Sequence, residues 1–202
     1  YLKTNGAGNL PTWEAVDAQG LLAYNNTTAI TGNAVDVFIY DTSNDSDGGA
    51  WRKRTQATSW YNETLNTSTR GSRKEFPSVA VIVAEADKVT IYDGDTPDLD
   101  MWMVFNRGNS WWMKMGTAMT AVTMLNGMLV ASGLLRMGIV EFIADNGNVI
   151  EAGFNYEHRG IVNRHTAVGA NTGSYSIVNS TVNDIAMTVL PNAPIDSTTG
   201  LP

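Results

Sequence analysis

The 202-residue sequence contains no cysteine. Disulfides, thiolate metal sites, iron–sulfur clusters and a cysteine nucleophile are thereby excluded. Charge is scarce too, since only 16% of residues are Asp, Glu, Lys or Arg, against roughly 25% in an average soluble protein. Positive charge is the scarcer sign, with 13 basic against 20 acidic side chains and a net charge of −7. That balance disfavours nucleic-acid backbones and anionic membrane surfaces as partners. The sequence also lacks a Gly-x-Ser-x-Gly elbow and a phosphate loop, so no nucleophile and no nucleotide cofactor is expected. Sustained helical periodicity is nearly absent.

What is present points to strands and turns. Thr, Asn and Gly make up 60 of the 202 residues, so uncharged polar groups carry the solubility and the chain is punctuated for turns. With 43% apolar residues it can bury a sizeable core. Residues 115–135 run uncharged for 21 positions, about the length that spans a bilayer. Asn126-Gly127 in the middle is a strong hairpin signal, so two strands are expected there and no membrane insertion.

Along the chain, residues 1–20 hold few apolar anchors and read as an extended linker or assembly segment. Residues 21–202 read as a β-rich domain. Strands are expected at 35–40, 78–84, 89–92, 101–105, 121–131 (a hairpin), 138–144 and 182–190, with long irregular stretches at 51–76 and 153–173. The hairpins beginning at Ser78 and Thr120 start 42 residues apart, within the roughly 40–50 residue period of propeller blades. A third start near Asn183 requires an insertion. The expected fold is therefore all-β, antiparallel hairpins forming part of a β-propeller, with a β-sandwich as the alternative. Position 1 is Tyr and the chain ends at Gly200-Leu201-Pro202 with no closing element, the pattern of a piece of a longer polypeptide.

The opening, with Thr4-Asn5-Gly6-Ala7-Gly8 followed by Pro11-Thr12-Trp13, resembles a short segment of tail-fibre and appendage proteins of bacterial viruses. The body looks like the opening of large propeller-bearing structural proteins of marine bacterial viruses. That likeness rests on Val35-Asp36-Val37-Phe38-Ile39-Tyr40-Asp41, Gly48-Gly49-Ala50-Trp51-Arg52-Lys53-Arg54-Thr55, Ser59-Trp60-Tyr61-Asn62-Glu63 and Lys88-Val89-Thr90-Ile91-Tyr92-Asp93-Gly94. The resemblance implies a virion location, further blades after Pro202, assembly with other virion proteins and a homo-oligomer, trimeric as fibres usually are. It implies a structural role with host attachment rather than an enzyme. Two other classes stay open: a fibre-borne glycan hydrolase or lyase, and an extracellular filament or surface-layer protein.

Candidate chemistry is thin. Flat indole faces stack on sugars, and Trp51, Trp60, Tyr61, Trp102, Trp111 and Trp112 are the aromatic candidates, with core or interface as the plainer reading. The irregular stretch at 50–76 combines Trp51, Trp60 and Tyr61 with Arg52, Arg54, Asn62 and Arg70. These seven are the candidate ligand-binding residues for a host-surface glycan, with guanidinium and amide groups fixing hydroxyls or sugar carboxylates. Asp41, Asp45 and Asp47 alternate as calcium ligands would, but an EF-hand begun at Asp41 would need Gly at position 46 and Glu at position 52, where Ser46 and Arg52 stand. Asp93, Asp95, Asp98 and Asp100 form a second acidic group; both read as solvated turns, and no metal site is expected. His158 and His165 match no zinc spacing. The basic runs Arg52-Lys53-Arg54 and Arg70 to Lys74 could meet a neighbouring subunit's acidic loops. Six Asn-x-Ser/Thr sequons stand at Asn25, Asn26, Asn44, Asn62, Asn66 and Asn179; the abundance of Thr accounts for about half of them by chance, and a virus assembled in a bacterium would not use them.

Overall fold

The computed structural model describes residues 2–3, 12–13, 32–106, 118–134, 136–151, 154–165, 170–173 and 181–202. Regular structure among them is strand, with short 3-10 turns at Thr42–Asn44, Ala50–Arg54 and Ile161–Asn163. The protein is all-β. β1 (Leu2–Lys3) and β2 (Thr12–Trp13) form a small antiparallel pair. The remainder of the expected linker, with Trp111 and Trp112, lies outside the described residues.

Two open antiparallel sheets follow. The first contains β3 (Ala34–Asp41), β4 (Val79–Glu85), β5 (Lys88–Asp93) and β6 (Met101–Asn106), side by side in chain order. The second contains β7 (Met119–Leu125), β8 (Met128–Gly133), β9 (Arg136–Glu141), β10 (Asn146–Glu151), β11 (Phe154–Arg159) and β12 (Ala170–Gly173), again in chain order. Each is an up-and-down meander, and neither closes on itself.

Local chemistry explains most of the turns. Asn126 (φ 52°) and Gly127 (φ 73°) link β7 to β8 with both central residues left-handed, as a two-residue hairpin of the right twist requires. The uncharged run at 115–135 is thus a hairpin where it is described. Asp145, at φ 54°, closes the β9–β10 turn, so the expected strand at 138–144 ends early, at Glu141, and Phe142 to Ala144 belong to the turn before β10. Residues 182–190, expected as a strand, form no ladder. They run as an extended segment, and the third repeat start at Asn183 is not a hairpin.

One apolar cluster joins the sheets. Tyr40, Ala80, Ile82, Ile91, Trp102 and Phe105 from the first sheet meet Met119, Val122, Met124, Leu129, Ala131 and Val140 from the second, together with Phe142 and Ile161. Strand β4 is buried on both faces, because Val81 and Val83 point away from that core into a smaller cluster with Leu99. This explains its nearly unbroken apolar sequence. At the centre lies an aromatic group: Phe76 stands 4.7 Å from Trp102 and 5.1 Å from Phe142, and Trp60 stands 5.5 Å from Trp102. Most of these contacts are edge-to-face, the arrangement the ring quadrupoles favour.

Candidate interaction surface

The seven residues expected to bind a glycan serve chiefly as structure, each with its own partners in the fold. Trp51 and Trp60 are wholly buried in the aromatic core, and so is Arg70 in its own polar pocket. The indole N–H of Trp51 donates to Asp45 Oδ2 (2.7 Å) and that of Trp60 to the Phe142 carbonyl (2.8 Å). A ring with no exposed face cannot stack on a sugar, which corrects the expectation for Trp51 and Trp60. Tyr61 is half-buried against Trp60. Asn62 Nδ2 donates to the Gln56 and Thr58 carbonyls, holding the loop's own turn. Arg52 donates to the Phe76 carbonyl and pairs with Glu75, while Arg54 pairs with Asp47 at 2.9 Å.

The basic runs are therefore largely neutralised within the chain. Arg73 Nη1 reaches both Asp93 (2.9 Å) and Asp95 (2.7 Å), which also ties down two of the four acids of the second group. Arg70 and Arg164, both buried, share one carboxylate: Glu63 Oε2 lies 2.8 Å from Arg164 Nη1 and 3.7 Å from Arg70 Nε. Burial, opposed by Glu63 and reinforced by Arg164, lowers the Arg70 pKa to about 10.

The first acidic group is likewise structural. Asp45 is buried and accepts from three donors, Tyr40 Oη, Trp51 Nε1 and the Asn126 backbone N–H. It pins the loop after β3 to the β7–β8 turn. Burial and the Asp45 carboxylate push the Tyr40 hydroxyl pKa well above its ordinary value. Among the described residues no cluster of His, Asp and Glu has the geometry of a metal site. His158 is buried on β11, and burial lowers its pKa. His165 follows the Ile161–Asn163 turn, and burial with the Arg164 guanidinium pushes its pKa down to about 4.

A surface that the sequence did not announce lies where β3, the β7–β8 turn and residues 181–202 meet. β3 and β7 are edge strands of different sheets. They lie together without a ladder, and Asp36 Oδ2 accepts the β7 backbone N–H of Val122 (2.8 Å), blunting that edge. The C-terminal segment is laid across this junction. Thr120 Oγ1 donates to the Val182 carbonyl, Arg54 Nη2 to Thr199 (3.1 Å) and Asn126 Nδ2 to Pro202 (3.2 Å), while Leu201 is buried.

Two adjoining hollows remain, sharing Leu125 and Met187. One, of about 440 Å³, lies beside Phe38, Ile39 and Met124 and carries Asp36, Asp41 and Asp184. The other, of about 310 Å³, is mostly apolar, with Asn126, Thr188 and Thr199 as uncharged polar lining and Glu141 as its ionisable residue. Around them Ile39 is 64% exposed and Leu190 68%, and Ile195 farther along the segment is 64% exposed. Large aliphatic side chains grouped in this way, beside carboxylates that accept backbone N–H groups but meet no cation among the described residues, mark an interaction surface rather than scattered apolar residues. Comparison with protein-family models, curated proteins and solved structures found no match to this chain.

Proposed function

We propose that this chain is a structural component of a bacterial-virus appendage, located in the virion and assembling through the β3 and C-terminal surface. The observation that carries the reading is the exposure of Ile39 and Leu190 around acidic hollows. Transferring such side chains out of water contributes about 1.5–3 kcal/mol each. The carboxylates make the surface a poor match for itself, because like charges brought face to face repel. It suits a heterologous contact, in which it meets a different patch on the next subunit. Heterologous contacts close into rings when the rotation between subunits allows and otherwise run on as filaments; the closed case is the trimer that the resemblance implies.

The finer architecture belongs to the same proposal. Four strands in up-and-down order are the content of one propeller blade, and β3–β6 fit that description, whereas the second sheet exceeds it by two strands. Two sheets burying their inner faces in one cluster is the plan of a β-sandwich. The shared core favours that reading. Host attachment, also proposed, rests on those of the seven candidates that reach the surface: Arg54 and Asn62, with Arg52 and Tyr61 in part.

The test is light scattering with size-exclusion chromatography on the chain and on an Ile39→Asp, Leu190→Asp variant. The wild type is expected to self-associate and the variant to run as a monomer with an unchanged circular dichroism spectrum. A wild-type monomer that also fails to sediment with virus particles would overturn the proposal.

A further inference from the structure

The hollow of about 310 Å³ beside the β7–β8 turn has a composition unlike that of a gap in packing. It is roughly twice the 150 Å³ apolar cavity that takes benzene, and it sits at the lower end of the size range of small-molecule pockets. Leu125, Met128, Ile143, Met187, Leu190 and Leu201 supply apolar wall. The two methionines are soft and adaptable, and thioethers make favourable contacts with aromatic rings. Glu141 is the one ionisable side chain in the lining.

That carboxyl is set apart from the other acids. Asp45, Asp47, Asp93 and Asp95 all have donors or cations within the fold. No hydrogen bond or cation from the described residues favours ionised Glu141, and burial together with Asp196 and Glu157 disfavours it. A charge beside an apolar wall is costly unless something pairs with it. A neutral hydrocarbon would bury Glu141 further without relief, and an anion would be repelled. An occupant with a hydrocarbon or aromatic body and an ammonium head answers both features at once.

The geometry points to this hollow as a binding site for a small organic cation, with its apolar body between Met128, Met187 and Leu201 and its ammonium group on Glu141. The site does not depend on the assembly proposed above. It belongs to a single chain, and its ligand need not bridge subunits.

Three ligands sharing one body separate the contributions: phenylbutylamine, phenylbutanol and phenylbutyrate, titrated calorimetrically into the full chain at mildly alkaline pH. The amine is expected to bind about tenfold or more tightly than the carboxylate, with the alcohol between them. In Glu141→Gln the amine should fall to within about twofold of the alcohol, whose own affinity is retained. Ala193→Trp should fill the hollow and abolish binding of all three; should that variant fail to fold, the Glu141→Gln arm decides alone. Equal affinities for amine and carboxylate, an amine preference that survives Glu141→Gln, or no binding by any of the three would overturn the site. Light scattering on the same samples reads the oligomeric state independently, so loss of one proposal is not mistaken for loss of the other.

Discussion

Replacing Glu63 with Gln tests how the interior tolerates its two buried guanidinium groups. Arg70 and Arg164 have fully buried side chains, and Glu63, with 12% of its side chain exposed, is the carboxylate that faces both. The remaining donors go to backbone carbonyls. Arg164 Nε donates to Val104 and Nη2 to Thr69, each at 2.8 Å, while Arg70 Nη1 and Nη2 donate to Trp102 and Lys74, each at 2.9 Å. Arg70 also lies 4.4 Å from the centre of the Trp102 ring. In Glu63→Gln these bonds persist while the cluster goes from one net positive charge to two. Breaking a buried ion pair costs about 3–5 kcal/mol, and the solvent-touched edge of Glu63 places this case near the lower end. For a chain of this size each kcal/mol is about 2–4 °C in melting temperature, so a fall of roughly 6–12 °C is expected. Urea denaturation followed by circular dichroism supplies the free energy. Adding Arg70→Met to Glu63→Gln should recover part of the loss, because one unpaired charge leaves with it, and the cycle should show a coupling of about 1 kcal/mol or more. A Glu63→Gln variant within about 0.5 kcal/mol of wild type, or strict additivity in the cycle, would refute the reasoning.

Asp45→Asn should destabilise the fold by about 3 kcal/mol, whichever way the amide turns. Its NH₂ group meets either Tyr40 and Trp51 or the Asn126 N–H, all of them donors, and a melting curve with unchanged Trp emission would count against this. Stability should also fall on acidification from about pH 6.5 towards pH 4, because the unfolded imidazole of His165 takes a proton near 6.5 while the folded one resists until about 4. Between those values the unfolded state binds more protons. Glu141 acts in the opposite sense, since its raised carboxyl loses stabilisation as pH rises, so the slope attributable to the imidazole is read by comparing wild type with His165→Gln. An identical pH dependence in the two would remove His165 from the account.

The strands that could be read from the sequence were those whose pattern and turn chemistry agreed. β4 and β5 are apolar runs around a polar turn, and Asn126-Gly127 specifies the β7–β8 hairpin with hardly any help from tertiary structure. The failures have particular causes. Phe142, Ile143 and Ala144 look like the end of a strand, yet Phe142 leaves the ladder to fill the aromatic core beside Trp60 and Phe76. β10 and β11 were hidden because Asn146, Gly147, Asn148, Asn155 and Glu157 are poor strand formers, and their pairing is imposed by the neighbouring β9. Val182 to Leu190 has strand composition but finds no ladder partner, which depends on the rest of the fold and not on those nine residues.

The candidate surface was harder to foresee, for a related reason. Trp60-Tyr61 among polar neighbours suggested exposed rings, but Ser59 anchors that segment to Asp145 through both its N–H and its hydroxyl, at 2.7 Å each, and the turn carries Trp60 inward. Those partners are 86 positions apart. Asn126 with Asp45 and Arg164 with Glu63 are comparably distant, so the polar contacts that decide which aromatic side chain is buried join segments that no local pattern relates. Glu141 carries no sequence mark either. It is one acid among many in a strand and becomes singular only when residues 181–202 cover its neighbours with Met187, Leu190 and Leu201. The signal that could have found it is compositional: an apolar stretch at the end of the chain, broken by Pro191 and Pro194, cannot continue a central strand. Where the segment then lies is decided by the rest of the fold, and a segment laid across two sheets without joining either leaves hollows beneath it.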